Sequence, residues 1–143
     1  MTALTANASR VKNTDRAQEL DVPVATQTTI YAGAICMADA SGYATPATSA
    51  AGNNLHPVLG VATEKADNSA GAAGAIDVRV QTGQIEYFAA HASVTQGLIG
   101  KEVSAQDDDT VIATATTYCT VGVLRYLTSD GKAAVQVGFN DLL

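Results

Sequence analysis

The sequence predicts an all-β protein: a small β-barrel or sandwich of short strands, a flexible N-terminal arm and at most one short helical turn. Three observations carry this expectation. Apolar and polar residues alternate in several short runs, clusters of Gly and Asp separate those runs, and no long segment repeats its apolar residues every 3.6 positions.

Residues 1–19 are polar, rich in Ala, Asn, Thr and charge, and show neither period. They read as an arm that is either plainly disordered or orders on a partner. The folded domain is expected over residues 20–143. Ile76, Val78 and Val80 alternate with Asp77, Arg79 and Gln81, as a half-buried strand requires. Val135, Val137 and Phe139 alternate with Gln136 and Gly138 in the same way. Residues 28–31, 35–39, 58–63, 85–89, 111–117 and 119–127 are further runs rich in β-formers. Tight reversals are expected at residues 39–42, Thr82-Gly83, 107–109 and 129–131, where Gly and Asp supply turn conformations. Residues 68–74 form a small-residue loop too poor in bulky groups for a core helix. Residues 93–100 are the one candidate helical turn, with Ser93 or Thr95 as cap and Gly97 and Gly100 keeping it short.

The chain also echoes itself. A hairpin (residues 35–39 and 43–45), the run Leu59-Gly60-Val61 and the strand 76–81 are followed by a second hairpin (103–105 and 111–113), Val121-Gly122-Val123 and the strand 134–139. Such an echo fits a duplicated unit closing a pseudo-symmetric barrel, and equally a chance likeness between two hairpins.

Composition bounds the core. The apolar fraction is 47%, but alanine supplies much of it, Trp is absent and Phe occurs twice. Leu, Ile, Val and Phe make up about 22% of the chain, just above the level at which disorder sets in. A thin core favours help from disulfides, metals or association. Cys36 and Cys119 lie in apolar β-like runs with no histidine nearby in sequence, and read as buried, reduced thiols. Association is the remaining candidate. Fourteen acidic against eight basic residues give a net charge of −6, and only Arg10, Lys12 and Arg16 cluster, so direct nucleic-acid binding is not expected. No apolar run reaches the length of a membrane span, and residues 1–9 lack the features of a secretory signal, so synthesis in a cytoplasm is expected.

The chemistry of catalysis is sparse. No G-x-S-x-G elbow occurs. His91 sits at a strand end and His56 precedes Pro57, positions that suit exposed or hydrogen-bonded histidines. Gly97-Leu-Ile-Gly100-Lys101-Glu102 has two residues between its glycines and Glu after the lysine, so the phosphate cradle and magnesium ligand of a P-loop are missing. Asp107-Asp108-Asp109 lacks the interleaved spacing of a calcium loop and reads as a solvated turn. Glu64, Asp67 and Glu86 would act as paired carboxylates only if folding joined two of them. Neither an enzymatic activity nor a cofactor is expected.

Several segments together resemble the decoration, or cement, proteins on the outside of tailed-bacteriophage heads. They are the polar arm Met1-Thr-Ala-Leu-Thr-Ala-Asn7, Thr28-Thr-Ile-Tyr-Ala-Gly-Ala-Ile35, Ser41-Gly-Tyr-Ala-Thr-Pro-Ala47 and Val58-Leu-Gly-Val-Ala62. Asp67-Asn-Ser-Ala-Gly-Ala-Ala-Gly74, Val94-Thr-Gln-Gly-Leu-Ile-Gly-Lys101 and Asp130-Gly-Lys-Ala-Ala-Val-Gln-Val137 complete the pattern. The resemblance covers most of residues 20–139 and implies a β-rich structural protein that stabilises the capsid shell, often as a homotrimer over local symmetry axes. It implies the major capsid protein as partner and the outer virion surface as location, with no catalytic residues to carry over. On this expectation the arm lies on a capsid protein or a neighbouring subunit, through Leu4, Arg10, Val11, Lys12, Arg16, Leu20 and Val22. A phage tail, baseplate or head-completion component is the alternative within the structural class. A carbohydrate-binding module is poorly served by a chain without Trp, and a small hydrolase by one without a motif.

Overall fold

The computed structural model describes residues 18–48, 58–113 and 118–138. The expected arm before residue 18, with Leu4, Arg10, Val11, Lys12 and Arg16, lies outside the described residues, as do His56 and Phe139. Strands dominate the rest. The first half holds β1 (Gln18–Pro23), β2 (Thr28–Ile30), β3 (Ile35–Ala38), β4 (Ala44–Pro46), β5 (Gly60–Ala62), β6 (Ala66–Asn68) and β7 (Asp77–Thr82). The second holds β8 (Ile85–Ala90), a 3-10 turn (Gln96–Leu98), β9 (Glu102–Ala105), β10 (Thr110–Ala113), β11 (Thr120–Leu127) and β12 (Lys132–Val137).

The fold is all-β, and its second half is a closed five-stranded barrel. Around that barrel the order runs β10-β9-β11-β12-β8, and a parallel pairing of β8 with β10 completes the circuit. The first half repeats the circuit as β4-β3-β5-β7-β1, with β2 and β6 forming a separate two-stranded sheet. Register agrees as well as order. Val61 pairs with Gln81 as Val123 pairs with Gln136, and Ala38 faces Ala44 as Ala105 faces Val111. Where β8 and β10 close the second half through Ala90 and Val111, a single parallel bridge joins Val24 to Ala44 in the first. The hydrogen bonds beside these contacts match too: Ala25 N donates to Ala44 O at 3.0 Å and His91 N to Val111 O at 2.9 Å. The internal echo of the sequence is thus a repeated strand circuit.

Two glycines show why the repeat keeps the same residue at one position. A Cβ on Gly60 would lie 2.7 Å from Gln81 O, and one on Gly122 would lie 1.9 Å from Gln136 O. In each half the neighbouring strand's backbone approaches so closely that no side chain fits.

Each half has its own core. Val24, Ile30, Cys36, Ala62, Val78 and Val80 pack inside the first. Phe88, Val103, Val111, Leu124, Val135 and Val137 fill the second, and Ile35, Met37 and Val61 of the first half join them. Strands β3 and β5 are therefore buried on both faces, Cys36 and Ala62 inward, Ile35, Met37 and Val61 toward the second barrel. A fully buried Val or Ile contributes about 1.5–3 kcal/mol, whereas the many core alanines contribute less.

Some expectations shift. Gln18 and Glu19 open β1 rather than belonging to the arm. Strand β6 was not foreseen, because Asp and Asn are poor strand formers. Its position comes from pairing with β2 and from buried Asn68, whose amide donates to Ala25 O and Ala72 O at 2.9 Å each. The helical turn falls within residues 93–100 as expected, but Thr95 makes no side-chain cap bond. Ser93 does not cap it either: its hydroxyl contacts His91 Nδ1 at 3.0 Å and accepts from Ala113 N at 3.1 Å.

Gly122→Ala is expected to destabilise the fold by about 3 kcal/mol and Gly60→Ala by about 2 kcal/mol, read as shifts in the urea midpoint. Ser104 is fully buried, and its hydroxyl has no hydrogen-bond partner among the described residues. Ser104→Ala is therefore expected to stabilise by about 1 kcal/mol in the same assay.

Candidate interaction surface

Strand alternation sends Ala133, Val135 and Val137 of β12 into the barrel and Lys132, Ala134 and Gln136 outward. On the outer face Ala134 lies in register between Tyr87 of β8 and Tyr126 of β11. The two rings meet edge to face, with centroids 6.1 Å apart and planes at 70°, and their hydroxyls are hydrogen-bonded. Ala134 is fully buried, while Tyr87 and Tyr126 remain 52% and 43% exposed. Ile85, two residues from Tyr87 on the same side of β8, is 41% exposed. Three large apolar side chains thus share one sheet face. Arg125 borders it, donating from Nε and Nη2 to Gln136 Oε1 at 2.9 and 2.6 Å. The hydrogen bond to Tyr87, then partial burial, raises the Tyr126 phenol above its ordinary pKa.

The same face of the first half is charged. Asp21 on β1 and Arg79 on β7 are cross-strand partners and form an ion pair at 3.0 Å. The Asp21 hydrogen bond, then the charges of Asp21, Glu19 and Glu64, raise the Arg79 pKa. This exposed pair contributes little to stability, and its main effect is to keep the face polar.

Of the expected arm contacts, the described residues place Leu20 and Val22 on β1, opposite Val80 and Val78. Leu20 is 55% exposed, and Val22 packs at the edge of the first core.

The residues singled out for chemistry do not converge. Asp107 Oδ1 accepts from Asp109 N and Thr110 N at 2.8 Å each, so the acidic run holds its own turn. Asp108 O accepts from Ile35 N at 2.9 Å, and partial burial followed by the charge of Asp107 raises its carboxyl pKa. Residues 31–34 with Asp108 and Asp109 line a depression of about 180 Å³, below the size range of small-molecule sites. Asp67 bonds Thr29 Oγ1 and Ser69 N, Glu86 bonds Gln84, and Glu64 lies near Arg79. His91 is exposed, and its Nδ1 accepts from Ser93 N at 3.0 Å. Among the described residues no group of three His, Cys, Asp or Glu is placed to hold a metal ion.

Both cysteines are buried thiols, as expected from the sequence. Burial pushes the Cys36 thiol up to about 12, with a smaller opposing effect from a backbone hydrogen bond at Ala62. Cys119 is also raised by burial, and its Sγ lies 3.7 Å from Met37 Sδ across the two halves. Because Cys36 stays protonated in the fold but ionises in the unfolded chain, its contribution to stability is lost as pH rises from about 9 toward 12. The slope is at most about 1.4 kcal/mol per pH unit. Urea titrations from pH 8 to pH 11 are expected to show a smaller alkaline loss for Cys36→Val than for the native chain. An equal loss would remove Cys36 as its cause.

No family model, curated protein or solved structure matches this chain.

Proposed function

We propose that this chain is a structural protein that binds the outer surface of a phage head and stabilises the capsid shell, acting as a homotrimer at local symmetry axes. The observation that carries this reading is that three of the five exposed large apolar side chains among the described residues, Ile85, Tyr87 and Tyr126, gather on an open sheet face of a closed barrel, while Leu20 and Tyr31 lie apart in the first half. A flat aromatic face suits docking against another protein surface, in which Tyr supplies contact area at little entropic cost. The thin, alanine-rich core supports association, and the pattern resemblance to cement proteins supplies the kind of assembly. On this reading the chain's role is binding rather than catalysis, its partner is the major capsid protein, and it works from the outer virion surface. An acidic domain suits that outer surface better than the DNA-lined interior. Many equivalent weak contacts around the shell would add through effective concentration.

Co-sedimentation with empty, expanded shells tests the proposal. Saturable binding near one copy per capsid subunit is expected. Binding of only about a dozen copies would move the chain to a connector or vertex position, and no binding would overturn the capsid reading. Deleting residues 1–17 is expected to weaken shell binding at least about tenfold while circular dichroism of the β domain is retained. Undiminished binding would rule the arm out as a shell contact.

A further inference from the structure

The repeated circuit gives this protein an internal comparison, because each outward position of one half has a register equivalent in the other. The pairing of β1 with β7 matches that of β8 with β12 residue by residue: Glu19 corresponds to Ile85, Asp21 to Tyr87, Arg79 to Ala134 and Asp77 to Lys132. Across this shared geometry the chemistry is inverted. Among the described residues the first-half face carries the carboxylates of Glu19, Asp21, Glu64 and Asp77 against the guanidinium of Arg79. Arg79 is already engaged by Asp21, and Lys65, next in sequence to Glu64, sits 5.3 Å over the Tyr31 ring instead. The second-half face carries Lys132, Arg125 and two tyrosine hydroxyls, with no carboxylate at the outward positions of β8, β12 and β11. Glu86 falls on the opposite side of β8 with Phe88, and Glu102 lies on β9 at the border.

We infer that the β8–β12–β11 face of one copy docks on the β1–β7 face of a second copy, head to tail. The occupant follows from complementarity of charge and of hydrogen bonding. Lys132 and Arg125 meet a surface with surplus carboxylates, and phenolic hydroxyls at the rim of an apolar patch meet acceptors. Ile85, Tyr87 and Tyr126 would supply the water-excluding centre, and the charged groups would set register and encounter rate. Because the two faces differ, the contact is heterologous, and such a contact can close into a ring. This rests on the self-association part of the proposed function and adds the faces that perform it.

The test is sedimentation equilibrium of the full chain from micromolar to millimolar concentration, at about 0.05 M and about 0.5 M salt. Self-association that weakens at the higher salt is expected. Tyr87→Ser with Tyr126→Ser, and separately Lys132→Asp or Asp77→Lys, are each expected to weaken it about tenfold or more with an unchanged circular dichroism spectrum. A chain carrying both charge reversals is expected to recover association. The salt series and charge swap do not depend on how well the tyrosine variant folds. A native chain that stays monomeric throughout, association indifferent to these substitutions, or a double reversal no better than the singles would each overturn the inference. Shell co-sedimentation separates its failure from that of the functional reading. A monomer that saturates shells overturns only the head-to-tail contact, and an oligomer that ignores shells overturns only the capsid role.

Discussion

The structure depends on two short strands that must serve two cores. Strands β3 and β5 turn Cys36 and Ala62 into the first core and Ile35, Met37 and Val61 toward the second. A strand buried on both faces cannot alternate polar with apolar, and these do not: they read Ile-Cys-Met-Ala and Gly-Val-Ala. Their burial lets a chain with few large apolar residues pack two small cores back to back across the same strands. Neither circuit encloses much by itself, since alanine occupies many of its inward positions.

The main-chain contacts between the halves reinforce this arrangement. Ile35 N donates to Asp108 O at 2.9 Å, so the acidic turn of one hairpin is fastened to strand β3 of the other half. Val58 N donates to Thr120 O at 2.9 Å beside the Cys119–Met37 sulfur contact. Buried backbone groups need such partners, and here they are found across the repeat rather than within it.

The repeat leaves the two outer faces free to diverge. A position facing solvent is restrained by neither core, so the same register can hold Asp77 in one half and Lys132 in the other without disturbing the strands. At the buried centre the two halves agree: Val80 and Val135 are equivalent and both fully buried. The close-approach glycines, Gly60 and Gly122, do not change at all, since backbone proximity rather than a partner side chain dictates them. The interaction surface therefore lies where the fold constrains sequence least.

Much of the fold was legible in the sequence because its causes are local. Alternation in residues 76–81 and 134–137 marked β7 and β12, Asp and Gly marked the hairpin turns, and the two Gly-Val runs marked the repeat. Strands β1 and β6 were not legible, since Gln18 to Glu19 and Asp67 to Asn68 carry no strand pattern and pair only because β7 and β2 offer them a partner. The tyrosine face was invisible for a related reason. Tyr87 and Tyr126 are 39 residues apart, and only the pairing of β8 and β11 with opposite sides of β12 brings their rings together over Ala134. The sequence by itself determined the all-β class, the turns, the thin core and the buried thiols, because composition and nearest-neighbour chemistry decide those. Tertiary structure alone decided barrel closure, the doubly buried strands and the opposed aromatic and acidic faces, because each depends on strand register between residues far apart in the chain.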